Sequence, residues 1–407
     1  MSYTYNNQIR YSDSTDLDAF GRLRTSGVTS LLEYKHVYDN LPLVVDQVVS
    51  GTGATASFDK PNAQVIMTVT GTNDYIIRQS KSRGIYQPGK GQLVEASFGN
   101  FQLETNVIKR VGYFQGATGA PYNSGFDGFF LESNGSTGVI SFQIWHAGAN
   151  VLNSPTASWS TSDYDVSLVD WSKTQLMIAD FQWLGVGRIR FGLVIDGLTK
   201  VFVTRASVNN DTTVYMQAPN QPIRYEIRSA GSGGTFNMIC SQISLEGTVN
   251  NLQKSIFLDN FTARTIASSA SKYPLLGYRV NSGYGGANLT LSDIQTINVT
   301  NATKADFLVT IEVNPVLSST PTFTNIPNSP IDYAVGTGAQ TVTTSGYRLA
   351  GFLGSGGSVQ VDSFEFKDNV LRPGFNVDGT QDQIWICVQA SLNSQDLRTS
   401  ANISYFD

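Results

Sequence analysis

The sequence predicts an all-β protein, with two β-sandwich or jelly-roll domains preceded by an extended N-terminal arm. Three observations carry this prediction. Apolar and polar residues alternate at period 2 through most of the chain, the signature of strands with one buried face. Turn-forming residues punctuate these runs at short intervals, with 38 Gly among 407 residues, as in sandwiches and jelly rolls. No window offers three clean turns of capped amphipathic helix, and sustained heptads are absent, which excludes a coiled-coil shaft.

Residues 1–44 are polar and rich in Asp and Arg, with little to form a core, and read as an extended docking arm. Residues 45–248 read as one large sandwich of the concanavalin-like jelly-roll type. Its first strand-like runs are 63–70 and 91–98. In 138–145 (GVISFQIW), Ile140, Phe142 and Ile144 share one face, and Ser141, Gln143 and Trp145 the other. Residues 167–180 (SLVDWSKTQLMIAD) fit either a helix or a turn feeding a strand. In 188–196 (RIRFGLVID), Ile189, Phe191, Leu193 and Ile195 alternate with Arg188, Arg190, Gly192 and Val194. Asp196-Gly197 then supplies hairpin turn chemistry before 200–204 returns. In 223–228 (IRYEIR), Ile223, Tyr225 and Ile227 are assigned inward, and Arg224, Glu226 and Arg228 outward; 236–245 is a further strand. Residues 248–255 form a linker. Residues 256–407, with runs at 307–313, 359–366 and 383–392, read as a second sandwich.

Charged residues make up only 14% of the chain, against roughly 25% in an average soluble protein. Lys and Arg total 27 and Asp and Glu 32, so the net charge is 27 − 32 = −5. That balance argues against nucleic acid as a partner, since phosphate binding needs clustered cations. The densest basic stretch, 78–83 (RQSKSR), reads as a solvated strand end or loop. No apolar run approaches the 18 residues of a membrane span, and the polar N-terminus predicts no secretory signal. Cys240 and Cys387 sit in apolar runs and read as small buried hydrophobes, with a single disulfide between them left open.

Catalytic and ligand motifs are weak. Residues 84–91 (GIYQPGKG) approach a phosphate-binding loop, but Gly91 replaces the hydroxyl residue, Pro88 removes a donor, and a strand follows instead of a helix. His36 and His146 are too few for a multi-histidine metal site, and no G-x-S-x-G elbow is present. Glycosidase chemistry needs two acids about 5–10 Å apart, one with a raised pKa. Glu132, Asp180, Asp196 and Glu226 are scattered in sequence, and the Asp16/Asp18 and Asp163/Asp165 pairs lie in loop-like sequence. Asp163 and Asp165 are the candidates for calcium, without an EF-hand pattern. Trp159 and Trp171, in polar surroundings, are the candidate glycan contacts, whereas Trp183 reads as core. The segment 18–24 (DAFGRLR) has the composition of a docking site. Phe20 and Leu23 are apolar anchors, Gly21 permits close approach, and Asp18, Arg22 and Arg24 supply charge for bidentate pairing.

Three blocks in this order resemble a known family: DAFGRLRTS followed by LLEYKHVYDNLPL; SKSRGIYQPGKGQLVEASFGNF with IKRVGYF; and FQWLGVGRIRFGLVIDG with APNQPIRYEI. They look like a family of uncharacterised virion structural proteins of tailed bacteriophages, with relatives in large DNA viruses. The resemblance implies a non-enzymatic part of a virus particle, in the capsid decoration, neck, tail or baseplate, and brings no catalytic residues or cofactor. The partners it implies are other virion proteins and copies of the chain, as a trimer or higher, with the arm ordered against a neighbouring subunit. The first sandwich is also similar to concanavalin-type lectins in its long strand, IDG turn and return strand. A carbohydrate-binding adhesin, meeting a host surface glycan from within the virion, is the alternative expectation.

Overall fold

The computed structural model describes residues 27–159, 164–248, 254–281, 292–303, 305–355, 360–365 and 374–405. The expected docking residues Asp18, Phe20, Gly21, Arg22, Leu23 and Arg24 lie outside the described residues, as do Asp16 and Asp163. The chain divides into two compact units, Met1–Gln79 with Tyr86–Asn250, and Ser80–Ile85 with Asn251–Asp407.

Among the described residues the first unit is a β-sandwich of fifteen strands. They are β1 (Val28–Lys35), β2 (Val45–Ser50), β3 (Thr55–Asp59), β4 (Gln64–Val69), β5 (Tyr75–Ser80), β6 (Gln92–Gly99), β7 (Val107–Gln115) and β8 (Asp127–Asn134). Then come β9 (Val139–His146), β10 (Ala149–Pro155), β11 (Gln175–Phe181), β12 (Arg188–Ile195), β13 (Leu198–Ala206), β14 (Ile223–Ser229) and β15 (Gly234–Glu246). One sheet runs β13-β12-β11-β6-β15-β4-β3, with β1 also paired to the long β15; the other runs β10-β9-β8-β7-β14-β5-β2. The two inner faces meet in one aromatic-rich core that includes Phe98, Phe129, Phe142, Phe181, Phe191, Tyr225 and Phe236. Period-2 alternation places these residues inward, as in any sheet pair packed face to face.

The strand assignments at 138–145, 188–196, 200–204 and 223–228 correspond to β9, β12, β13 and β14. Asp196 and Gly197 both have positive φ, 52° and 74°, which is what a two-residue hairpin connection requires. Within 167–180 the turn-and-strand option holds: a single 3-10 turn at Val166–Leu168 leads into β11. Three expectations need correction. The basic stretch 78–83 is not solvated: Arg78, Gln79, Ser80 and Arg83 are all buried. Cys240 is exposed on β15, while Cys387 is buried, and both are free thiols. The outward side of β14 is not solvated: all seven of its residues are buried, Arg224, Glu226 and Arg228 included.

Among the described residues the second unit has two larger antiparallel sheets and a two-stranded ribbon of Val316–Leu317 with Val342–Thr344. The strands Lys254–Asp259, Gln395–Tyr405, Ser292–Asn301 and Gln360–Glu365 form one, with Arg264–Ile266 added alongside Gln395–Tyr405. The other has the order Thr324–Asn325, Ile331–Val335, Tyr273–Val280, Ile384–Ala390, Phe307–Val313, Tyr347–Gly354. Between them lie Leu275, Ile297, Val309, Ile386, Leu397 and Ile403. A smaller cluster on the outer side holds Trp385 against Ala334 and Cys387, with Leu317, Phe323 and Val342 around it.

Candidate functional site

The outer face of the β10-to-β2 sheet concentrates the polar chemistry of the first unit. Strand register sets it up. Glu226 on β14 lies opposite Arg110 on β7, Arg110 opposite Glu132 on β8, and Glu132 opposite Ser141 on β9. One row across β14, β7 and β8 therefore alternates in charge, the arrangement that favours cross-strand pairing. Arg110 donates through Nε to Glu132 Oε2 at 2.6 Å and through Nη1 to Glu226 Oε1 at 2.5 Å. Arg224 donates to Glu226 Oε2 through Nε at 2.9 Å and Nη2 at 2.7 Å, and Arg228 Nε reaches Oε1 at 3.3 Å. The two acids left scattered by the sequence thus share one guanidinium, a proximity that only the register reveals.

A roof over residues 116–126 closes this face. Within it, Ala117 N donates to Ser124 O and Tyr122 N to Gly119 O, and the Ala120-Pro121 bond is cis. Tyr122 takes a left-handed φ of 57°. Its carbonyl accepts from Arg224 Nη2 at 3.0 Å and Arg228 Nη2 at 3.1 Å, while Pro121 O accepts from Arg228 Nη1 at 2.8 Å. Arg110 Nη1 also donates to Asn123 Oδ1. Arg110 stacks over Phe126 and Arg228 over Tyr75, 4.8 Å and 5.0 Å from the ring centroids. Aromatic faces stabilise guanidinium charge that has been removed from water.

The electrostatics follow from this enclosure. Burial alone would raise the Glu226 pKa, but Arg228, Arg224 and Arg110 together hold it far below the usual carboxylate range. Burial works against the Arg110 charge as well, yet Glu226 and Glu132 move its pKa upward. For Arg224 burial prevails and the shift is downward, with Glu226 opposing it. Glu226 is therefore placed as a permanent anion, whereas the acid of a glycosidase pair needs its pKa raised.

At the β9 end the same network reaches the surface. Gln143 Nε2 donates to Glu132 Oε1 at 3.1 Å, and Gln143 Oε1 accepts from Trp145 Nε1 at 2.9 Å and Asn150 Nδ2 at 3.4 Å. The Trp145 ring is half-buried, edge-on to Phe126 and stacked beside Phe130. Residues 147–150 next to it are exposed. Their turn is pinned from below: Asp127 Oδ1 accepts from Ala147 N, and the same carboxylate holds Gln217 N, Ala218 N and Gln221 Nε2. The result is an indole of fixed orientation, flanked by amide side chains, on a rim with little freedom to lose.

The glycan contacts expected from sequence are placed elsewhere. Trp159 is 5% exposed. Its ring stacks on Phe202 and tilts against Phe191, and Nε1 donates to Ser154 O at 3.1 Å. It is a core residue, because a polar sequence neighbourhood does not reveal where the ring points. Trp171 is half-buried against Phe101 at 5.9 Å, and its carbonyl accepts from Phe101 N. Trp183 packs against the core with Nε1 donating to Met216 O. Asp165 accepts from Ser167 N as the cap of the 3-10 turn. Among the described residues no three His, Cys, Asp or Glu side chains converge as a metal site. Trp145, Gln143, Arg110, Glu132 and Glu226 were missed as a group. Their sequence signal was the alternation in GVISFQIW and IRYEIR, without the pairing that joins them.

No protein-family model matches the chain, and no curated protein matches it. Solved structures that align with it include the carbohydrate recognition domain of Emp47p, at 12% identity and TM-score 0.35, covering 54% of this chain and 97% of that one. A native glycosidic hydrolase aligns at 12% identity and TM-score 0.35, covering 56% and 99%. A legume lectin-like domain from Entamoeba histolytica aligns at 10% identity and TM-score 0.31, covering 55% and 100%.

Proposed function

We propose that this chain is a non-catalytic carbohydrate-binding component of a virus particle, and that its first sandwich meets glycan on the shelf around Trp145. The observation that carries the reading is the half-buried indole, locked by Gln143 and flanked by the exposed Asn150 beside the roofed arginine network. An aromatic plane stacks on the apolar face of a sugar, and neighbouring amides both donate to and accept from its hydroxyls. The non-catalytic part rests on Glu226, whose three guanidinium neighbours oppose its acting as a proton donor. The particle setting rests on the three sequence blocks that resemble virion proteins. Assembly with copies of itself is supported by apolar side chains left open on the second unit, including Phe257, Phe261 and Leu353 at 61%, 83% and 78% exposure.

A glycan array probed with the full chain tests this directly. The expected outcome is binding to a defined set of oligosaccharides, weakened at least tenfold, about 1.4 kcal/mol, by Trp145→Ala and unchanged by Trp171→Ala. Release of reducing ends from a bound glycan would overturn the non-catalytic part. Absence of the chain from purified particles would overturn the setting.

A further inference from the structure

In the second unit, side chains from distant parts of the sequence meet on one carboxylate oxygen. Residues Ser80–Ile85 belong to this unit although they follow β5 of the first in sequence. Lys81 is fixed there by its backbone. Its carbonyl accepts from Phe375 N at 3.0 Å, and a Cβ on Gly374 would come within 2.6 Å of it, so glycine makes the approach possible. Asn314 and Asp382 are brought together because the strands Phe307–Val313 and Ile384–Ala390 pair, with Val313 opposite Ile384. Asp382 Oδ1 accepts from Lys81 Nζ at 3.4 Å and from Asn314 Nδ2 at 2.6 Å, while its Oδ2 is held by Gly374 N at 3.1 Å. The Asn314 amide is clamped at its other end, where Oδ1 accepts from Gln383 N at 2.8 Å. Asn314 N in turn donates to Gln383 O at 2.8 Å. The Lys81 side chain is 15% exposed and that of Asp382 only 3%.

We infer that Lys81 and Asn314 become joined by an isopeptide bond, with Asp382 as the proton carrier. An ion pair would be complete with Lys81 and Asp382; the asparagine adds an electrophile whose nitrogen and carbonyl oxygen are both already engaged. Lys81 Nζ gives a proton to Asp382 and attacks Cγ of Asn314 with the freed electron pair. The flexible four-carbon stem of lysine lets Nζ turn from Oδ1 to that carbon. Negative charge developing on Asn314 Oδ1 meets the Gln383 N–H already bonded to it, as an oxyanion donor should. The Cγ–Nδ2 bond then breaks and its electron pair leaves with the nitrogen. Across the reaction two protons pass from Nζ to Nδ2 by way of Asp382. A lysine ammonium and a primary amide thus become a secondary amide and one ammonium ion, and the balance needs no further reactant. Asn314 is exposed, which gives the ammonium ion a way out. Fixing amine and amide on one oxygen replaces an encounter between them with a short side-chain movement. Pro315 follows Asn314 and has no N–H, so the common route of ammonia loss from asparagine, attack by the next backbone nitrogen, is closed at this position.

Intact mass spectrometry of the denatured full chain, followed by a tryptic digest, tests the proposal. The wild type should fall short of its sequence mass by one ammonia. Its digest should hold the peptide containing Lys81 joined to the peptide containing Asn314, with no cleavage after Lys81. Lys81→Arg keeps the ion pair with Asp382 but cannot form the bond, and should show the full sequence mass. Asp382→Asn, which removes the proton carrier, should do the same. A wild type at full sequence mass would overturn the proposal, and so would an ammonia deficit that persists in Lys81→Arg. Loss of one water, with Lys81 linked to Asp382 itself, would overturn the choice of Asn314 as the electrophile.

Discussion

Glu226 is the residue on which the sealed face depends. It is fully buried and meets three guanidinium groups, so removing its charge leaves Arg110 its pair with Glu132 and takes from Arg224 and Arg228 the carboxylate they share. Breaking one partner out of a buried network costs about 3–5 kcal/mol. Glu226→Gln is expected to lose that much in equilibrium denaturant unfolding, with the slope unchanged. The pH dependence has a definite sign. The folded-state pKa of Glu226 lies below the value of about 4.3 in an unfolded chain, so its contribution is complete above about pH 5. It is lost as the pH falls through that unfolded value toward the depressed one. Glu226→Gln should therefore flatten the acid limb of the stability profile, and an unchanged acid limb would contradict the pairing.

At the scale of strands and turns, the alternation in GVISFQIW, RIRFGLVID and IRYEIR specifies which residues point into the core, and Ile140, Phe142, Phe191 and Tyr225 are all buried there. Register is a different matter. Whether Glu226 faces Arg110 depends on which residues of β7 and β14 pair, and a one-residue slip would send these charges to the other face. The roof was illegible for a related reason: GATGAPYNSGF has loop composition, and composition does not say that Tyr122 O will meet two arginines. Trp159 shows the converse, a ring in a Ser/Thr-rich segment that turns inward onto Phe202. Close approach is also invisible in sequence. Gly277 lies opposite Trp385 in the second unit, and a Cβ there would come within 2.5 Å of the indole. Gly277→Ala should destabilise the protein by about 1–3 kcal/mol through overpacking. A thermal melt matching wild type would sink that reading of the strand pair.

For the whole molecule, low charge and apolar alternation produce two units, each with sheets packed around a core of its own. In the first unit the roof packs over Arg110, Arg224 and Arg228 and the Trp145 ring stays half-buried, and the second unit leaves Phe257, Phe261 and Leu353 open to water. Self-association through the second unit predicts a mass of three or more chains in light scattering. Phe261→Ser with Leu353→Ser should lower that mass without altering glycan binding. The central claim, that sugar is held beside Trp145, is tested most directly by hydrogen exchange of the full chain with and without its best array glycan. The account predicts slowed exchange confined to residues 141–150 and the adjoining roof at 122–126. Protection around residues 154–171 instead, or no protection anywhere at saturating glycan, would contradict it.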